Sequence, residues 1–268
     1  MTYGPGEMLE ALEKVATAER LLLATDFDGV LAPFAEDPMK ARAAPGTIDT
    51  LRSLAELPGL HVAVISGRDL VTLRRLTAIE EDEPLVLIGS HGAESSDEAV
   101  RVAMEHSAVT PDDEATLAVL SADIQRLIAE RHPEANVELK AAAVVVHTRG
   151  LGRAAAEAAI ADARRLALHH PGVKVLKGKS VLELTVSHSD KGSAVTALGR
   201  SVDAVARIYF GDDVTDEDAF MRMRRPQDVT VKVGSGSTAA RFRVDNEAAV
   251  AGALRTLWQL CSVHRLPS

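Results

Sequence analysis

At 268 residues, with 46% hydrophobic and 26% charged positions, the chain has ordinary globular composition and can bury a core as one large domain or as a domain carrying an insert. A formal net charge of −9 argues against a surface of clustered lysines and arginines, so nucleic acid is not an expected partner, and any phosphate must be met by local cations. The single cysteine, Cys261, excludes an intramolecular disulfide; with no basic-then-apolar N-terminal segment and no apolar run of bilayer length, a cytoplasmic monomer with no membrane contact is expected.

Taken in chain order, the first signal is LLLATDFDGVLAP at 21–33. Leu21 to Ala24 is continuously apolar, the pattern of a strand covered on both faces of a parallel sheet. Asp26 and Asp28 lie two positions apart, so in an extended chain their side chains leave on the same side, and Gly29 permits a sharp turn after them. Taken alone, this stretch fits either a strand-end turn in which aspartates bond their own backbone or a pair of catalytic carboxylates. A calcium loop does not fit, because Val30 and Leu31 fall where it needs a ligand and its glycine.

Helices are expected over 47–57, 69–79, 190–200 and 215–224, alternating with buried strands at 61–66, 84–90 and 205–213. That alternation implies right-handed crossovers, a Rossmann-like parallel sheet of α/β class, and functional loops at the strands' carboxyl ends. The middle of the chain differs. Helix patterns at 111–133 and 151–172 bracket two strands in 136–150, and 173–186 reads as a hairpin around Lys177, Gly178 and Lys179. These features read as an αββαββ unit, a smaller α+β domain over 108–186 inserted into a core of 1–107 and 187–268.

Three further stretches stand at strand ends of the core. In ISGRD, Ser66 and the backbone of Gly67 can meet a phosphate, or Ser66 can simply cap a helix with Asp69. In SDKGSAV, Lys191 at a helix start is either a solvated charge or a phosphate-facing cation. In FGDDVTDEDAF, Thr215 with Asp218 forms a capping box, which leaves Asp212 and Asp213 unexplained. Acidic groups converging on one sheet edge repel each other unless a cation joins them, and hard carboxylate oxygens select Mg2+. With such an ion, Asp26 could attack phosphorus, Asp28 could protonate the leaving oxygen, and Lys191 could offset charge.

DFDGVLAPF, SGR, DKG and GDDVTDEDAF, in that order, resemble the four motifs of haloacid dehalogenase superfamily phosphatases with a C2-type cap. LAPFAEDP, SGRDL, GSHGAE, LELTVSHSDKG and VKVGSGSTAARFRV narrow the resemblance to trehalose-6-phosphate phosphatases. The resemblance implies Asp26 as nucleophile and Asp28 as acid and base. It implies magnesium on Asp26, the Asp28 carbonyl and Asp212, with Asp213 and Asp216 as further acidic positions of the metal site, and phosphate held by Ser66, Gly67 and Lys191. Val30 and Thr148 depart from the family's usual threonine and aromatic, and neither removes a catalytic group.

Strand alternation puts Ser180, Leu182, Leu184 and Val186 on one face and Lys179, Val181, Glu183 and Thr185 on the other. The leucines should pack on helices, leaving Lys179 and Glu183 to meet sugar hydroxyls or remain surface charges. His147 and Arg149 share a face by the same rule and match family cap positions; Arg68 and His91 stand in matching motifs. The expected activity is magnesium-dependent release of trehalose and phosphate from trehalose 6-phosphate, a step of trehalose biosynthesis. The rivals are a phosphatase of another sugar phosphate, such as sucrose phosphate, and a non-catalytic sugar-phosphate sensor.

Overall fold

The computed structural model describes residues 5–104, 109–178 and 180–265. Helix α1 (Pro5–Ala16) leads into β1 (Leu21–Thr25), followed by α2 (Thr47–Ala55), β2 (Leu60–Ile65), α3 (Leu70–Thr77), β3 (Leu85–Gly89), the short β4 (Glu94–Ser95) and α4 (Glu98–Met104). Next come α5 (Pro111–Arg131), β5 (Asn136–Lys140), β6 (Ala143–His147), α6 (Arg153–Ala167), β7 (Lys174–Gly178) and β8 (Val181–Thr185). The chain closes with α7 (Lys191–Ser201), β9 (Ala206–Gly211), α8 (Glu217–Arg222), β10 (Val229–Val233), β11 (Phe242–Val244) and α9 (Glu247–Arg265). It divides into two compact units, residues 1–105 with 190–268, and residues 106–189.

The larger unit is built on a seven-stranded sheet of order β11-β10-β9-β1-β2-β3-β4, in which every pairing but β3 with β4 is parallel. Central β1 is buried along its whole length: Leu21 and Leu23 enter one hydrophobic cluster, Leu22 and Ala24 the other. This explains the uninterrupted apolar run, since a strand with helices on both faces has no solvent side to mark with polar residues. Helices α1, α2 and α9 supply Leu12, Leu51 and Leu257 to the first cluster, and α7 and α8 supply Val195 and Phe220 to the second. Register fixes the functional edge. Thr25 pairs with both Val64 and Phe210, so the chain leaves β1, β2 and β9 at one level, with Asp26, Ser66 and Asp212 just beyond.

The second unit is a four-stranded antiparallel sheet of order β5-β6-β8-β7 with α5 and α6 on one face. Thr110 and Asp113 close a capping box at the start of α5, with Pro111 in the first turn where its missing N–H costs nothing. Leu182 and Leu184 of β8 pack with Val144 and Val146 of β6 against Ile124 and Ala163, and Glu183 between them faces the other way. The hairpin turn differs from expectation: Lys177 and Gly178 lie in β7, with Gly178 pairing with Val181, so both belong to the strand rather than to the turn, which includes Ser180. Ser180 there has φ of 61°, a left-handed conformation of the kind tight hairpins require.

Helices α1 and α9 and strands β10 and β11 add to the sequence-based elements. Among the described residues, no helix is long and apolar enough to cross a membrane.

Candidate active site

Asp26 follows the last residue of β1, 5% exposed, its N–H donating to the Phe210 carbonyl at 2.9 Å. Its Oδ1 accepts the Phe27 N–H at 2.6 Å, and Oδ2 lies 2.7 Å from Lys191 Nζ. Lys191, the first residue of α7, is 2% exposed rather than solvated and also donates to Asp216 Oδ1 at 2.8 Å. A buried ammonium between two carboxylates is held by its partners: burial alone would lower its proton affinity, but Asp216 and Asp26 outweigh that and raise it.

Asp216, fully buried, accepts four hydrogen bonds. Lys191 and the Tyr209 hydroxyl donate to Oδ1 at 2.8 Å each, and the N–H groups of Asp212 and Asp213 to Oδ2 at 2.8 and 2.9 Å. It therefore positions Lys191 and shapes the loop after β9. The capping box lies two residues earlier than expected, between Asp213 and Asp216 rather than Thr215 and Asp218, because a 3₁₀ turn over Val214–Asp216 precedes α8. Asp213 accordingly turns its Oδ1 to the Val214 N–H at 2.7 Å.

Asp26, Asp212 and Asp216 place one carboxylate oxygen each within 4.8 Å of one another, the metal-compatible cluster found among the described residues. Asp212 Oδ1 is buried without a hydrogen-bond partner among those residues, and burial, then Asp216, raises the carboxyl to about 7. Burial likewise pushes Asp26 well above its ordinary value; Lys191 pulls it back, while Asp216 and Asp212 push it further. An orphaned acceptor, three converging acids and hard oxygen donors together fit a divalent cation. Gly29 keeps the approach open: its φ is 76°, and a β-carbon there would run into the Asp212 carboxylate and the Phe34 ring.

Asp28 is gripped by a fork. Arg68 Nε donates to its Oδ2 at 2.6 Å and Nη2 to its Oδ1 at 2.7 Å, with both side chains partly buried. One guanidinium thus donates to both oxygens of Asp28, a geometry that fixes the orientation of the carboxyl group. Ser66, 1% exposed, accepts the Arg68 N–H on its hydroxyl at 3.2 Å, and Asp69, not Ser66, caps α3. His91 sits in left-handed backbone at φ 56°, its ring packed over Gly67, where a side chain would collide with it. Ser66, Gly67, Arg68 and His91 thus belong to one turn system beside Asp28, joined by the His91 N–H bond to the Ser66 carbonyl at 2.9 Å.

In the second unit, Glu183 is held by Lys140 Nζ at 2.8 Å and His147 Nε2 lies 2.8 Å from Glu138. Strand β6 stops at His147, so alternation does not carry to Arg149, which is exposed in the turn beyond. Lys179 lies outside the described residues.

Sequence reasoning missed Tyr209 and Lys232. Tyr209 orders Asp216 from below, its ring edge-on to Phe220 at 5.8 Å. Lys232, 5% exposed in β10, donates to the Asp212 and Val233 carbonyls, the latter at 3.0 Å, and fixes the loop that carries Asp212. A lone lysine inside the apolar VTVKV was the available signal, because an unpaired ammonium does not sit in a doubly covered strand.

The trehalose-phosphatase family model matches residues 24–248. A trehalose-6-phosphate phosphatase of Escherichia coli is 30% identical over 221 residues, covering 82% of this chain and 79% of that protein. An uncharacterized glycosyl hydrolase of Mycobacterium tuberculosis is 36% identical over 231 residues, 81% of this chain, which spans only 16% of that relative's length. The C-terminal domain of a Candida albicans trehalose-6-phosphate phosphatase shares the fold with a TM-score of 0.76, 22% identity and 97% coverage of both chains. Four ordered motifs, the buried acids and lysine at the carboxyl edge of a parallel sheet, and a family match across most of the length converge: the chain belongs to the trehalose-phosphatase family.

Proposed function

We propose that the protein hydrolyses trehalose 6-phosphate to trehalose and phosphate through a phosphorylated Asp26. The observation that carries this reading is the set of buried Asp26, Lys191 and Asp216 with half-buried Asp212 beyond β1 and β9. Asp26 forms a bond to phosphorus as the bond to the sugar oxygen breaks, and Asp28 gives that oxygen its proton. Water then attacks the acyl phosphate, Asp28 takes its proton, and Asp26 is regenerated. Lys191 neutralises charge on Asp26 and the phosphoryl oxygens, and Asp216 with Tyr209 keeps it aimed. The Arg68 fork engages both Asp28 oxygens, so its proton transfers in the two half-reactions require that fork to loosen.

Asp26 and Asp212, with the Asp28 carbonyl, would hold Mg2+, which supplies electrostatic stabilisation of phosphoryl charge when bound. Asp216 is spent on four donors and acts behind them. Metal-free, Asp212 binds its proton more tightly folded than unfolded. Between its ordinary value and about 7, folding therefore takes up protons, and stability falls as pH rises. A cation competes with that proton, so Mg2+ should raise the melting midpoint more near pH 8 than near pH 5. An equal gain at both values would speak against this site.

Sugar recognition falls to Glu183, assisted by His147, Arg149 and Lys179, the role proposed for the inserted unit. A disaccharide is selected by polar groups left unpaired when the wrong sugar binds. Glu183→Gln retains the strand and removes a charged acceptor contributing roughly 1.5–3 kcal/mol. It should lower kcat/KM on trehalose 6-phosphate at least about tenfold while changing hydrolysis of a small aryl phosphate far less. Equal losses on both substrates would make Glu183 structural, through its Lys140 pair. The reading as a whole is tested by phosphate release from a panel of sugar phosphates with and without Mg2+. Turnover of trehalose 6-phosphate, metal-dependent and above that of sucrose phosphate, supports it; binding without turnover would make the chain a sensor.

A further inference from the structure

The amino edge of the parallel sheet, opposite the acidic edge, holds a basic cleft of about 600 Å3 lined by Arg20, Arg200, Arg207, Arg222, Arg224 and Arg225. Asp203 is the acidic residue among its lining. Arg207 is neutralised by buried Asp228 through two bonds of 3.0 and 2.6 Å, Arg222 pairs with Asp190 at 2.8 Å, and Arg20 lies 3.4 Å from Glu19. The guanidiniums of Arg200, Arg224 and Arg225 have no carboxylate partner among the described residues: that of Arg224 donates to the Met221 carbonyl and that of Arg225 to the Ala204 carbonyl, while the Arg225 backbone N–H donates to Asp228. In a chain of net charge −9, this local surplus of cations runs against the global balance that argued against polyanions.

Gathered guanidiniums repel one another, and a multivalent anion relieves this best. One phosphate monoester brings only about two charges, whereas a chain of linked phosphates brings enough for the three unpaired arginines and presents successive oxygens to their planar forks. The cleft volume lies within the range of small-ligand sites. We propose that this cleft is an effector site for a compact polyphosphate, free or as the triphosphate tail of a nucleotide.

Its coupling to turnover runs through Arg222. The Asp190 carboxylate that accepts from Arg222 also caps α7 by accepting the Ser193 N–H at 2.6 Å, and the next residue is Lys191. An anion that draws Arg222 away removes one partner of that cap and loosens the helix end carrying the lysine. This coupling rests on the catalytic role proposed for Lys191; binding itself does not.

The test is calorimetric titration of the full chain with tripolyphosphate, ATP, orthophosphate and sulfate at fixed free Mg2+, beside the double variant Arg200→Ser/Arg224→Ser. Tripolyphosphate should bind at least about tenfold more tightly than orthophosphate or sulfate, and the double variant should lose at least that factor. Tighter binding of ATP than of tripolyphosphate would identify a nucleotide as the occupant, and equal binding the free chain. Saturating tripolyphosphate should lower kcat on an aryl phosphate about fivefold at unchanged KM. The double variant should show no such inhibition and keep its effector-free rate. Undiminished binding in the variant, or sulfate binding as well as tripolyphosphate, would overturn the site. Binding with no change in kcat would overturn the coupling. A chain that hydrolyses nothing would defeat the phosphatase reading while calorimetry still decides the cleft.

Discussion

Asp26→Asn is expected to reduce phosphate release by at least about 10⁴-fold on every substrate, sugar or aryl, because a neutral amide is no nucleophile toward phosphorus. The variant should fold. An asparagine oxygen can still accept the Phe27 N–H, and Lys191 keeps its Asp216 partner. Its amide nitrogen, however, would face the Lys191 ammonium, donor against donor, where a carboxylate oxygen now lies at 2.7 Å. A modest drop in melting temperature should therefore accompany the loss of activity, visible in a thermal scan beside the kinetics. Retained turnover in a well-folded variant would remove Asp26 from the chemistry.

Asp28→Asn should cost about 10²–10⁴-fold on trehalose 6-phosphate, the usual contribution of a positioned acid or base. A poor leaving group such as a sugar alkoxide needs the proton, whereas an activated aryl oxide hardly does, so the first half-reaction should suffer least on the aryl substrate. The Arg68 fork supplies a second reason to compare the two. An amide can accept only one arm of the guanidinium, so the variant disturbs the orientation of the turn as well as the proton. Orientation losses strike both substrates alike; proton-transfer losses separate them. Identical factors would make Asp28 a positioning group for Arg68 and the turn at Ser66.

How far the site was legible in the sequence depends on the kind of signal each residue left. The run before Asp26 stood out because a strand covered on both faces cannot alternate, and parallel register then carried Asp26, Ser66 and Asp212 to one edge. Lys191 could not be told from a solvated charge, since nothing local to SDKGSAV encodes the two carboxylates that surround it. Asp213 and Asp216 looked equivalent in FGDDVTDEDAF. They separate only when the 3₁₀ turn forms and Asp216 points inward to four donors while Asp213 caps its own turn. The Arg68 to Asp28 fork spans 40 positions, and the Tyr209 to Asp216 bond needs the chain to double back, so neither has a short-range trace. Strands β10 and β11 fall largely within VKVGSGSTAARFRV, which reads as a family motif and not as strands, and the flanking helices α1 and α9 carry no motif. Their placement depends on docking against the sheet rather than on a motif.

The covalent step is tested most directly by mixing the Mg2+-loaded protein with trehalose 6-phosphate labelled with radioactive phosphorus, quenching in acid during turnover and digesting the chain. A phosphorylated Asp26 predicts label on the peptide containing LLLATDFDGV, absent from Asp26→Asn and lost when the quench is delayed until substrate is spent. Steady phosphate release with no label on the protein at any time, or label on a peptide lacking Asp26, would contradict it.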